Sequence, residues 1–412
     1  MTGPVLAIDF GTSNSAAAVM LEGKLTRIPL EGSAATLPTA VFFPAKGGAM
    51  KIGEAASDAL IDGEEGRYMR ALKSVLGTPL LHEPRLIGGK RRSVAQIITG
   101  FLAEVKSRAE AKSGLRFTRA LSGRPVHFHS NAPERDTQAE ADLRACYLEA
   151  GFEAVDFMYE PEAAAHACQS MGQPAALGLI VDIGGGTSDF SVYRAGESGV
   201  EIIASHGVRL GGTDFDHAVS MHHAMPLLGL GGQLKRTFGE GLLPVPNGIY
   251  VDLSTWAMIP FLYTRETERL VEDMVRHAVE PEKMRRLASV IEDQSGHDLA
   301  FAVERGKIAA NAAKPDAAIA MAMIERGLAA RITPGSLNAA LAVYREALRE
   351  ALWQVLMKAG VAPEAIGTVV LVGGSSLLGL VAEEAREVCP GAALHRSEVF
   401  TAVVDGLALA SV

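Results

Sequence analysis

The chain has 412 residues, 48% hydrophobic and 21% charged, which is enough for two or more domains around a large core. Its net charge of -9 argues against nucleic acid or an anionic membrane surface as the main partner. Cys146, Cys168 and Cys389 lie far apart with no CxxC pair, as expected for reduced thiols in a cytoplasm, and no secretory signal is read at the N-terminus.

In chain order, residues 4–30 read as a three-stranded meander with glycine turns. Residues 36–92 are rich in Pro and Gly and read as a small inserted subdomain, with "GGKRRS" (88–93) a solvated basic face. The spacing over 94–113 predicts a helix stopped by Gly114, and "RPVHFH" (124–129) reads as a buried strand. Thr137 and Glu140 have capping-box spacing and predict a helix start, with Leu143, Cys146, Tyr147 and Ala150 on its inner face and Gly151 as its stop. Residues 154–167 read as a strand, Glu160-Pro161, and an Ala-rich helix. A second meander spans 177–206, residues 217–330 read as mostly helical, and one long helix is predicted from Ser336 as cap to Gly360 as stop. "AIGTVVLVGGSSLLGLVA" (365–382) has the length of a membrane span, but its internal Gly-Gly-Ser-Ser predicts strand, turn and helix.

The two meanders are related. "AIDFGTSNS" (7–15) and "VDIGGGTSDF" (181–190) share a strand, an Asp, an apolar residue, a Gly, and a Thr-Ser followed by Asn or Asp. Glycine turns without side chains admit a polyphosphate, whose oxygens take backbone N–H groups, while Thr and Ser add hydroxyl donors. A bare carboxylate beside phosphate is repulsive, so Asp9 and Asp182 imply a cation between them, with hydrated Mg²⁺ the fitting choice. Neither a Walker A nor a dinucleotide fingerprint is present. "HFH" (127–129) and "HH" (222–223) lack metal-site companions, and Tyr147 and "WAMIPFLY" (256–263) read as core before partner surface.

The motifs "AIDFGTSNS", "ALKSVLG" (71–77), "YEPEAAA" (159–165), "VDIGGGTSDFSV" (181–192), "LGGTDFD" (210–216), "ERGKIA" (304–309) and "LVGGSS" (371–376), in that order, resemble the nucleotide-binding domain of the seventy-kilodalton heat-shock (DnaK-like) chaperones, in the actin and sugar-kinase superfamily. "GRPVHF" (123–128), "MPLLGLGG" (225–232) and "EPEK" (280–283) look similar to the YegD-like branch. The resemblance implies an α/β, two-lobed actin-like ATPase fold of duplicated ribonuclease H-like mixed sheets. Lobe I would span 1–172 with its insertion at about 36–92, and lobe II 173–412 with a mostly helical insertion at about 217–330.

It also implies residue roles. Lys73 matches the lysine that orients the γ-phosphate and attacking water, Glu160 the carboxylate tied to water and metal, Asp182 the proton acceptor, and Asp9 the holder of hydrated Mg²⁺. Gly11, Thr12, Ser13 and Asn14 match the first phosphate loop; Gly184, Gly185, Gly186 and the catalytic-set Thr187 match the second. Gly211 and Gly212 match the cleft-floor turn, Glu304, Lys307 and Asn311 the helix face beside ribose and adenine, and Gly373, Gly374 and Ser375 the adenine-side turn. Leu377 stands where typical members have an Arg over adenine, Ile308 and Asn311 differ from the Arg and Ser some members use there, and Phe400 stands near where an Asp is usual. The expected organisation has no acidic-leucine linker and no peptide-binding domain.

The resulting expectation is a monomeric, cytoplasmic, ATP-binding, slowly hydrolysing chaperone-like protein whose lobes close on nucleotide and act on an unidentified partner. A nucleotide sensor with little hydrolysis is the alternative, motivated by the altered adenine pocket. A small-molecule kinase of the same superfamily ranks third, since no base for a substrate hydroxyl and no second pocket can be assigned.

Overall fold

The structure is a computed structural model and describes residues 3–168, 177–196, 199–237, 239–396 and 401–411. The expected lobe boundary at 172/173 and Phe400 fall outside the described residues. The chain forms two compact units, Met1–Gly212 with Arg345–Val412, and Thr213–Tyr344.

The first unit is built on two mixed sheets with the same strand order. In the first sheet the meander Val5–Phe10, Asn14–Leu21, Lys24–Ile28 is antiparallel, and Arg119–Arg124 and then Ala154–Tyr159 add parallel beside Val5–Phe10. In the second sheet the meander is Leu177–Ile183, Ser188–Gly196, Gly199–Val208, and Ile366–Val372 and then Ala393–Arg396 add parallel beside Leu177–Ile183. The central strands are buried on both faces, which is why they read as continuous apolar runs. Both meanders close with turns of four residues, because Phe10 pairs with Ser15 and Ile183 with Ser188.

Helices Glu160–Ala167 and Ala402–Ala410 share one core cluster with both sheets, joining Ala7 and Ala16 to Ile180, Tyr193 and Val370. They pack backbone to backbone: a Cβ at Gly406 would lie 1.6 Å from the Ala163 carbonyl oxygen. The Ala163–Ala165 run is thus a close-approach surface. Arg27 reaches helix Ala402–Ala410, donating from Nε and Nη2 to the two oxygens of Asp405 at 2.8 and 2.6 Å. Residues 36–92 contribute a three-stranded sheet centred on Ala40–Pro44 and a two-stranded one, Arg85–Ile87 with Lys90–Arg92.

The second unit is mostly helical, with Arg265–His277, Pro281–Glu292 and Gly296–Asn311 and two short hairpins. Trp256 anchors its core, packing edge-on against Phe301 with ring centroids 5.0 Å apart.

Several expectations are met. Helix Val94–Ser113 carries a Ser93/Gln96 capping box and ends at Gly114 with φ 72°. Residues 365–382 form strand Ile366–Val372, a one-turn 3-10 helix, and the start of helix Gly379–Val388. Among the described residues no helix is long and apolar enough to cross a membrane.

Three expectations need correction. Residues 125–129 are not a strand, since Arg119–Arg124 ends where they begin. Pro125 has no N–H to offer a ladder, and carboxylates take the next donors: Val126 N–H goes to Asp189 Oδ1 (2.7 Å), and Phe128 and His129 N–H go to Asp136 Oδ1 (2.6 and 3.3 Å). The helix expected at Thr137 begins a turn earlier, at Pro133, and the Thr137 hydroxyl donates back to the Pro133 carbonyl. The long helix expected from Ser336 is two helices, Pro334–Ala340 and Ala342–Ala359, and its cap is Thr333, with Ser336 as the reciprocal capping-box partner.

Candidate functional site

Four elements of the first unit converge on one lysine. Lys73 lies in the one-turn 3-10 helix Leu72–Val75 and is 6% exposed. Its Nζ donates to Glu160 Oε1 at 2.6 Å. Glu160 opens helix Glu160–Ala167, where the missing N–H of Pro161 costs nothing and the helix dipole favours a carboxylate. Asp9 and Asp182 stand one residue from the ends of their strands, and both feel the charges of Lys73 and Glu160.

The acids outnumber the cation. Burial, and then the Glu160 carboxylate, push Asp9 up to about 7 although it is only half-buried, while Lys73 opposes the rise. Burial and the charges of Glu160, Asp189 and Asp9 hold Asp182 well above the usual carboxylate range, again against Lys73. Asp189 completes the cluster. It is 1% exposed, sits directly across the strand pair from Asp182, and is pushed up to about 8 by burial and Glu160. The Val126 N–H, the Thr187 side chain and Lys73 pull it back down. A multivalent anion would be repelled by this set unless a cation stood between.

Asp189 was not singled out in the sequence, although the signal was there as the acid closing "GGGTSD". The repeat was misaligned. Matching Thr-Ser with Thr-Ser inserts two residues, whereas the strand register is gapless from the Asp and sets Thr12 against Gly185, Ser13 against Gly186, and Ala16 against Asp189.

At most of these glycines the protein itself takes up the space a Cβ would need. A Cβ at Gly185 would meet Ser13 Oγ at 2.5 Å, and one at Gly186 would meet Thr12 Oγ1 at 2.9 Å. One at Gly211 would meet Gly186 N at 2.5 Å, and one at Gly212 would meet Ser375 Oγ at 2.4 Å. The Gly11 and Gly373 positions are closed by the backbone oxygens of Asn14 (2.2 Å) and Ile183 (2.4 Å), and Gly373 also has φ 79°. At Gly184 the nearest atom, Thr187 O at 3.5 Å, is an ordinary contact. Bareness at Gly185 and Gly186 thus has a cause within the protein as well, since the first hairpin's hydroxyl side chains take up the space on their Cβ side. Gly374 begins the 3-10 turn Gly374–Leu377.

Glu304, Lys307 and Asn311 lie on helix Gly296–Asn311 of the second unit. Lys307 is 6% exposed and ion-paired to Asp216 Oδ1 at 2.7 Å, while Asp216 Oδ2 accepts from Trp256 Nε1 at 3.2 Å. Lys307 thus belongs to a buried polar group that sequence reasoning did not see. Ile308 on the same helix is 57% exposed. Tyr147 is core, its hydroxyl sharing a hydrogen bond with Ser122 at 2.8 Å. Cys146 is buried, and burial pushes its thiol up to about 11, which makes it inert. His129 Nε2 is bonded to the Leu76 carbonyl, and His127 Nδ1 to Asp136.

For a metal, the chemistry of the donors is decisive. Among the described residues no three His, Cys, Asp or Glu side chains stand close enough together to hold an ion directly. Clustered carboxylates spaced more widely suit a small hard cation that keeps its water shell.

Residues 83–227 match the family described as Hsp70 protein. The chain is 30% identical over 305 residues to a chaperone protein DnaK of Endomicrobium trichonymphae, covering 67% of this chain and 46% of that one. It is 33% identical over 222 residues to the DnaK of Thermoplasma acidophilum, and 34% over 224 residues to that of Picrophilus torridus, each covering 52% of this chain and 34% of the relative. The chain thus spans half or less of the length of these relatives. These likenesses support an Hsp70-like nucleotide-binding domain, and the mixed α/β architecture is consistent with the Hsp70- and actin-like ATPase fold.

Proposed function

We propose that the protein binds ATP and hydrolyses it slowly, as a chaperone-like ATPase of the YegD-like branch. In this reading the two sheets of the first unit are the centres of two lobes, 1–172 and 173–412, which close on nucleotide and relax after hydrolysis to act on a protein partner. The protein would work as a cytoplasmic monomer.

The observation that carries the reading is the buried Lys73–Glu160 pair, set among three further carboxylates beside two backbone-rich turns. Mg²⁺ bound through water to Asp9 and Asp182 would supply the positive charge that lets phosphate approach these acids. Lys73, fixed by Glu160, presents its ammonium where charge develops on the transferred phosphoryl group. Asp182, held protonatable by its neighbours, accepts a proton from the attacking water. Backbone N–H groups of 11–14 and 184–187, with the Thr12, Ser13 and Thr187 hydroxyls, take phosphate oxygens. Thr12 and Ser13 lie on the Cβ side of Gly185 and Gly186, which brings their hydroxyls beside the second loop. By the resemblance, Gly211, Gly212, Gly373, Gly374 and Ser375 would frame the floor and base side, and Glu304 and Asn311 would lie beside the ribose and adenine, with Lys307 held in its ion pair with Asp216.

The test is calorimetric titration with ATP and Mg²⁺, followed by phosphate release from wild type and Lys73→Ala. Binding with slow release is expected, and Lys73→Ala should lower release by about 10²-fold. Absence of binding would contradict the reading. Binding without release would favour the second reading, a nucleotide sensor, which the exposed apolar Ile308 supports because it offers an adenine ring no charged partner.

A further inference from the structure

The turn that carries Lys73 is poorly built to hold itself. Leu72–Val75 is four residues long, and Ala71 before it has φ 58° and ψ 32°, a left-handed conformation costly for a residue with a Cβ. Its closing bond, Leu76 N–H to the Lys73 carbonyl, is 3.3 Å long. Such a segment keeps its place only if its surroundings hold it.

Two neighbouring segments supply that hold. His129 Nε2 is bonded to the Leu76 carbonyl at 2.7 Å, and Asp142 Oδ2 accepts from Gly77 N–H at 3.0 Å. The third contact comes from just beyond the second meander: Arg209 Nη2 donates to the Ser74 carbonyl at 3.1 Å, one residue from the lysine. Arg209 is itself pinned. Its N–H donates to Ser130 Oγ at 2.5 Å, and the next carbonyl, Leu210, accepts from Ser188 Oγ at 2.7 Å. Gly211 then lies against the backbone of Gly185 and Gly186. Two residues upstream, the bare Gly207 makes room for Asp189 Oδ1, which a Cβ would meet at 2.5 Å.

We propose that Arg209 is a positioning residue for Lys73: from the segment leading into the Gly211–Gly212 turn it holds the Ser74 carbonyl, so the lysine and the glycine turns keep a fixed spacing. A shift of the Gly185–Gly186–Gly211 stack is then transmitted to the lysine through one guanidinium. The phosphoryl-transfer part rests on the function proposed above; the clamp itself does not. Arg209 is exposed, so its replacement leaves the core intact.

The experiment uses the full chain with Arg209→Gln, Arg209→Lys and Ser130→Ala. The first readout needs no nucleotide: the rate at which acetic anhydride acetylates Lys73, followed by peptide mass spectrometry, with buried Lys307 as the internal control. Arg209→Gln should speed Lys73 acetylation about tenfold and leave Lys307 unchanged. Ser130→Ala should act in the same direction but less, and Arg209→Lys should restore half or more of the protection. The second readout is phosphate release per bound ATP, expected to fall about tenfold in Arg209→Gln with affinity changed less than about twofold. Unchanged Lys73 acetylation overturns the clamp whatever the nucleotide data show. Faster acetylation with unchanged release in an active protein overturns the positioning role. If wild type neither binds nor hydrolyses ATP, the proposed function falls, and acetylation alone decides the clamp.

Discussion

The two meanders of the first unit share strand order, turn length and an Asp one residue before the strand end, yet they carry opposite equipment. The first turn, 11–14, bears hydroxyl side chains, and the strand beyond it sets Ala16 opposite Asp9. The second turn, 184–187, is bare at three positions, and the strand beyond it sets Asp189 opposite Asp182. One hairpin supplies side chains where the other leaves space, so Thr12 and Ser13 seat on Gly185 and Gly186. One supplies a neutral contact where the other places a second buried carboxylate. Two hairpins of like topology thus differ as a plain one and a charged one, and like charges directly opposite in a strand pair are destabilising. That repulsion is tolerable in a site that takes up a cation, and idle elsewhere.

The comparison can be broken most severely by copying the charge. Ala16 is 1% exposed, so Ala16→Asp would bury a second carboxylate against Asp9 with no lysine of its own. A loss of about 3 kcal/mol or more is expected in denaturant unfolding. A loss below about 1 kcal/mol would mean the two hairpins tolerate acid equally.

The seating comes next. Gly211→Ala would drive a Cβ into the backbone of Gly185 and Gly186 at 2.5–2.6 Å, with about 1–3 kcal/mol lost. Gly185→Ala meets the mobile Ser13 Oγ first, so it should cost less, and Ser13→Gly in the same chain should recover part of the cost. Additive effects of the pair would separate the two turns.

The buried acids set a pH dependence. Asp9 and Asp189 have folded values raised to about 7 and about 8, above an unfolded value near 4, so the folded state holds their protons more tightly. Their contribution to stability is complete below about pH 4 and is lost as pH rises through about 7 to 8. Asp189→Asn keeps an acceptor for the Val126 N–H and removes one titrating group. Its melting temperature, measured without nucleotide, should therefore gain on wild type as pH rises from about 4 to 8. A constant difference between the two proteins would place the repulsion elsewhere.

The smallest effect is expected at the outer strand pair, where Arg194 and Glu201 face each other at 2.9 Å but are 49% and 67% exposed. Arg194→Ala should change stability by less than about 0.5 kcal/mol.

Much of the site was legible because its parts are contiguous. "ALKSVLG" and "YEPEAAA" each contain one partner of the Lys73–Glu160 pair, and the Asp-apolar-Gly pattern marked Asp9 and Asp182. The long-range parts were not. Residues 125–129 look like a strand because the deciding acceptors, Asp136 and Asp189, lie elsewhere in the chain. Asp189 was passed over because a shared Thr-Ser invited a two-residue gap that the strand register does not contain. The Lys307–Asp216 pair was hidden although "ERGKIA" and "LGGTDFD" each contain one partner, because neither motif says which residue outside it the charge meets. Cap choice failed locally, at Thr137 and Ser336, where a proline or threonine three or four residues earlier captured the helix start.

The most direct test is ATP affinity measured in Mg²⁺ and in EDTA, for wild type and for Asp182→Asn. If the acid cluster needs a cation before it accepts phosphate, Mg²⁺ should raise wild-type affinity by at least about tenfold, or about 1.4 kcal/mol, and much less in Asp182→Asn. Equal wild-type affinity with and without Mg²⁺, or no binding in either, would contradict the account.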